Sequence, residues 1–85
     1  MGHDITANIR NILRAHGRLA ADVSTLQDDD DLYLAGLTSH ASVNLMLALE
    51  EHFDIEFPER MLRRGAFSSI TAIRAGLLEL IGADA

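Results

Sequence analysis

Three stretches of this chain repeat apolar residues at helical spacing, and nowhere do such residues alternate as in a strand facing one core. Ile5, Ile9, Ile12 and Leu13 form one stripe. Ser42, Leu45, Met46, Leu49 and Phe53 form a second, following the i, i+3, i+4, i+7, i+11 rule. Ile70, Ile73, Leu77 and Ile81 form a third. In 85 residues these stripes can cover only one another, which predicts an all-α fold with a single core and a single domain over residues 1–85.

Helix punctuation sets the boundaries. Asp4 is placed to cap the first helix and Gly17 to stop it. The second helix is expected from Ser39 to about Phe53. Pro58 opens a short third helix through "PERMLRR", as proline does at a first helical position. Ser68 or Ser69 caps the last, and Gly82 ends it. The expected architecture is a small four-helix bundle: three main helices, one short helix, and a long loop from about Arg18 to Thr38 between helices 1 and 2. Loops of that length are uncommon in small domains. Leu19, Val23, Leu26, Leu32 and Leu34 are its apolar anchors, so it should pack across the helices.

Charge narrows the partners. The formal net charge is −6, and all seven Lys-plus-Arg positions are arginine. That balance excludes non-specific nucleic-acid binding, which needs a basic surface, and docking on anionic lipid. Proteins are the expected partners. No apolar run is long enough to span a membrane, and "MGHDITANIR" is too polar for a signal peptide, so a cytoplasmic monomer is expected. Without cysteine there is neither a disulfide nor a thiolate site. No metal centre is expected: Asp28 to Asp31 lack a glycine-punctuated loop, and His3 and His16 lie far from His52 and Asp54. The four aspartates repel one another, so salt or partial neutralisation should stabilise the fold.

The stretch "AGLTSHASVNLMLALEEHF" carries the candidate site. Thr38 is a good N-cap, which leaves Ser39 at the first helical position with its hydroxyl free. Gly36 lets the chain turn tightly into the cap. Free amides and the positive end of the helix dipole favour an anion on Ser39, such as a phosphate ester. A nucleophilic role fits poorly. "GLTSHA" is not a G-x-S-x-G elbow, and His40 diverges from Ser39 by about 100° on a helix. Val43 and Leu47 form a second, narrower apolar strip about a quarter to a third of a turn from the core face. His40, Asn44, Glu50 and Glu51 frame it. Either the long loop covers this strip or a partner docks there.

The stretch "DDLYLAGLTSHASVNLMLALEEHFDIEFPE" resembles the centre of the acyl carrier and peptidyl carrier proteins, whose signature is D-S-L or G-G-H-S-L. The resemblance runs from about Leu26 to Ile81 and includes the long first loop and the final amphipathic helix. It implies that Ser39 is esterified with 4′-phosphopantetheine, whose thiol holds an acyl or aminoacyl group as a thioester. The chain would then be a carrier and no enzyme, its thiol coming from the arm. The implied partners are a phosphopantetheinyl transferase, an acyl- or amino-acid-activating ligase and a downstream acceptor enzyme. Departures from the pattern matter. Thr38 replaces the usual aspartate or histidine, and His40 the usual leucine or methionine. Arg60, Arg63 and Arg64 stand where carriers of fatty-acid synthesis are acidic. The chain is more similar to small stand-alone bacterial carriers, some of which receive amino acids from ligases related to class II aminoacyl-tRNA synthetases. His40, Val43, Leu47, Arg60, Arg63 and Arg64 are the expected docking residues. The alternative is an unmodified helical interaction module, which differs from a carrier at Ser39.

Overall fold

The computed structural model describes residues 5–82. Helix α1 (Ile5–His16) packs against both α2 (Ser39–Phe53) and α3 (Ile70–Gly82). Ile9, Leu13, Leu45, Leu49, Ile70, Ile73 and Leu77 are sealed between them, so the three predicted stripes do meet in one core. The helical class expected from the sequence is the class observed, with no strand among the described residues. The expected cap at Asp4 lies outside the described residues. Ser69 caps α3: its Oγ accepts the Ala72 amide at 3.0 Å. No described helix is long and apolar enough to cross a membrane.

The predicted short helix takes a different form. Two 3₁₀ turns, Glu59–Met61 and Arg64–Phe67, replace it, and Pro58 caps the first in extended conformation and so lies before its first helical position. Burial explains the break. Met61 and Phe67 both reach the core, yet residues six apart lie about 120° apart around an α-helix, so a helix continued on to Phe67 would turn one of them away. The chain bends at Leu62 and at extended Arg63 so that both can be buried.

At the end of α1, Gly17 closes the helix by donating to Leu13 O at 2.8 Å, but the left-handed conformation falls on Arg18. Gly17 answers a need for space, since a Cβ there would lie 2.8 Å from Leu13 O.

The loop from residue 18 to 38 is pinned throughout. Val23, Leu32 and Leu37 are buried and Leu19 and Leu26 half-buried, whereas Leu34, expected as an anchor, is 87% exposed. The acidic run does not simply point into water. Asp28 pairs with Arg10 at 2.6 Å, and its carbonyl accepts the Thr71 amide at 3.0 Å. Asp29 accepts the Thr71 hydroxyl at 2.8 Å. Asp30 accepts the Gln27 amide at 2.8 Å, and Asp31 the Tyr33 amide at 2.9 Å. The Asp28 and Asp29 bonds fasten the loop to α1 and to the start of α3, and those of Asp30 and Asp31 hold turns within the loop. Neutralising the run therefore removes contacts as well as repulsion.

Candidate functional site

The site is built where the loop turns into α2. Gly36 has φ +118°, and a Cβ there would sit 2.6 Å from the Ala20 amide nitrogen, so only glycine fits this crossing. Thr38 follows in extended conformation, and its Oγ1 accepts the Ala41 amide at 3.0 Å. Ser39 then opens the helix, exposed to solvent. Its carbonyl accepts the Ser42 hydroxyl at 2.7 Å, while no hydrogen bond among the described residues involves its own Oγ. The first turn of α2 holds no acidic residue, so nothing there opposes an anion at the positive end of the dipole.

Beside Ser39 lies a groove of about 480 Å³ between α2 and the segment from Leu62 through the second 3₁₀ turn. Val43, Met46, Leu62 and Phe67 form its apolar walls, and Tyr33, Arg63 and Arg64 also line it. The Arg64 guanidinium stacks 3.7 Å over the Tyr33 ring, and the Tyr33 hydroxyl donates to Arg64 O at 3.1 Å. One residue of the loop thereby holds the segment that faces α2. The hydroxyl is thus free and exposed, and it opens on a groove with no carboxylate among its described lining residues.

The long loop leaves the second apolar strip bare: Val43 is 51% and Leu47 52% exposed. The two do not share one depression. Val43 faces the groove beside Ser39, whereas Leu47 lines a separate, polar groove with Ile12, His16, Arg18 and His52. Of the residues framing the strip, Glu50 has an internal task, accepting the Phe57 amide at 2.8 Å. His40 is exposed. The three arginines part company as well. Arg63 and Arg64 reach the groove, and Arg60 pairs with Glu79 of α3 at 3.0 Å. Phe53, expected in the core stripe, is half-buried with the His52 ring edge-on at 4.8 Å. No group of three acidic or histidine side chains that could hold a metal ion occurs among the described residues.

Sequence reasoning passed over Tyr33, Leu62 and Phe67. An aromatic set among the small and acidic residues of "DDDLYLAG" is the one available hint for Tyr33. Leu62 falls inside the expected helix "PERMLRR" and Phe67 just beyond it, and neither carries a sequence signal for a groove.

Residues 9–75 match the family described as the phosphopantetheine attachment site. This chain belongs to that family. It is 55% identical over 69 residues to the aminoacyl carrier protein of Agrobacterium fabrum, covering 81% of this chain and 83% of that one. Its fold is similar to that of a carrier protein from Agrobacterium tumefaciens, crystallised with ATP and an engineered Bradyrhizobium japonicum glycine:[carrier protein] ligase. The TM-score is 0.87 at 50% identity, covering 89% of this chain and 99% of the other. A solution structure from Agrobacterium tumefaciens is similar as well, with TM-score 0.75 at 48% identity, covering 93% of this chain and 95% of the other. The family implies a covalently attached 4′-phosphopantetheine and a carrier, not a catalytic, role.

Proposed function

We propose that Ser39 bears the 4′-phosphopantetheine arm and that the cargo is an amino acid, held as a thioester and presented to partner enzymes. The observation that carries this reading is the exposed Ser39 hydroxyl, left free because Thr38 performs the capping. The arm supplies the thiol that a chain without cysteine lacks. The chain's own residues hold the attachment point: Gly36 sets the turn, Thr38 fixes the first turn of α2, and the helix end favours the phosphodiester's charge. Likeness to an aminoacyl carrier protein and to a carrier crystallised with a glycine ligase supports an amino-acid-activating ligase as partner.

The modifying transferase and a downstream acceptor are the other partners, in the cytoplasm, with the chain acting as a monomeric single domain. Partners dock on the surface around Ser39, comprising His40, Val43, Leu47, Arg63 and Arg64, with Arg60 contributing less because Glu79 holds it. Arginine forks suit acidic acceptors on the ligase. The test has two steps. The protein is converted with a phosphopantetheinyl transferase and coenzyme A, then incubated with a glycine:[carrier protein] ligase, ATP and glycine. A glycyl mass increment that hydroxylamine removes supports the reading. Conversion without aminoacylation by this or other amino-acid ligases overturns the cargo assignment.

A further inference from the structure

The groove beside Ser39 combines uncharged walls with cationic edges. Val43, Met46, Leu62 and Phe67 offer apolar surface, and among the described residues the only charged ones lining it are Arg63 and Arg64. No carboxylate among the described residues lines it. Stacking on Tyr33 fixes the Arg64 guanidinium in place, so its positive charge is a standing feature of the groove. Ser39 is itself part of the lining, so an arm attached there can fold back into the groove without crossing other surface.

Resting on the reading of Ser39 as the attachment point, we propose that Arg63 and Arg64 bar a cationic cargo from this groove, so that an aminoacyl thioester stays in solvent while an uncharged acyl group would fold back. An α-aminoacyl group keeps its ammonium at neutral pH. Moving that charge against Val43 and Leu62 strips its hydration, the two guanidiniums repel it, and the single negative charge of the arm's phosphodiester on Ser39 offsets only one of them. An uncharged acyl group meets neither penalty and gains from every methylene it buries. The groove thus sorts cargo by exclusion. A loaded aminoacyl end remains accessible to any enzyme offering a carboxylate to its ammonium.

The test compares cargo of similar size and different charge. Glycyl, N-acetylglycyl and butyryl amides of the pantetheine thiol position are attached by the transferase from the matching coenzyme A analogues, so no ligase is involved. Methyl resonances of Val43, Met46 and Leu62 are followed by NMR at neutral pH. Butyryl and N-acetylglycyl should shift them relative to the unloaded carrier, and glycyl should leave them in place. In Arg63→Glu with Arg64→Glu the glycyl form should shift them at least several-fold more than in the unaltered protein. Arg63→Glu alone, which preserves the Tyr33–Arg64 stack, should give an intermediate shift. Three outcomes overturn the proposal: a glycyl shift equal to that of N-acetylglycyl in the unaltered protein, no shift with any cargo, or continued exclusion of glycyl in both variants. Failure of the transferase to attach any analogue rejects the Ser39 reading instead, and mass analysis detects it before cargoes are compared.

Discussion

Thr38 and Ser39 divide the start of α2 between them: the Thr38 hydroxyl accepts the Ala41 amide at 3.0 Å, and the Ser39 hydroxyl enters no hydrogen bond among the described residues. Stability and function are therefore separable at adjacent positions. Thr38→Ala should cost about 1 kcal/mol. In a domain of this size that lowers the melting temperature by roughly 4–8 °C. Ser39→Ala should change it by less than about half as much. Thermal denaturation of the two variants checks this, and a Ser39→Ala loss equal to that of Thr38→Ala would contradict the division.

The acidic run gives a second prediction, opposite in sign to simple charge repulsion. Asp28 is held by Arg10, whose second nitrogen also donates to Val23 O at 2.9 Å. Asp28→Ala should lower stability by about 0.5–1 kcal/mol, since the pair is partly exposed and screened. Asp31→Ala should also destabilise, because it frees the Tyr33 and Leu34 amides. Urea unfolding of each variant measures the effect; stabilisation by either would show that repulsion outweighs these contacts.

A third prediction concerns pH. The Ser24 backbone amide and hydroxyl hold the Asp22 carboxyl below the ordinary carboxylate range, with Arg14 adding a smaller pull. The folded-state value thus lies below the unfolded one. Its contribution is complete above the ordinary range and is lost as the pH falls through the folded-state value. Asp22→Asn removes that contribution, so it should lower neutral-pH stability slightly and flatten the acid limb of the stability curve by the same small amount. Melting temperatures of both proteins across the acid range provide the check.

Docking yields the fourth. Arg63→Glu with Arg64→Glu should slow aminoacylation of the pantetheine-bearing protein by its ligase about tenfold or more, as reversal of a contact charge does. Val43→Asp should act similarly by charging the apolar centre. Arg60→Glu should have a smaller effect, because Glu79 already occupies that guanidinium. Steady-state loading kinetics decide the matter, and unchanged rates in the double variant and in Val43→Asp would place the contact elsewhere.

The helices were legible because their stripes are periodic and their caps chemically distinct; Thr38 and Ser69 both accept the amides that their positions imply. Ser39 stood out for the same reason, since a second hydroxyl after a capping one has no local task. What escaped was set by tertiary demand. The expected third helix through Arg64 gives way to two 3₁₀ turns because Met61 and, just beyond that helix, Phe67 must both reach the core, a requirement invisible in a local window. Leu34 looks like an anchor in sequence, yet the turn closed by Asp31 turns it outward. The groove escaped too, because Tyr33 meets Arg64 across 31 positions of chain.

The central claim is attachment at Ser39, and intact-mass analysis after incubation with a phosphopantetheinyl transferase and coenzyme A tests it most directly. Ser42 is the internal control, one turn on and lining the same groove, its hydroxyl donating to Ser39 O at 2.7 Å. The unaltered protein and Ser42→Ala should each gain one phosphopantetheine, and Ser39→Ala should gain none. A Ser39→Ala protein that still takes up the arm, or an unaltered protein that never does, would contradict the account.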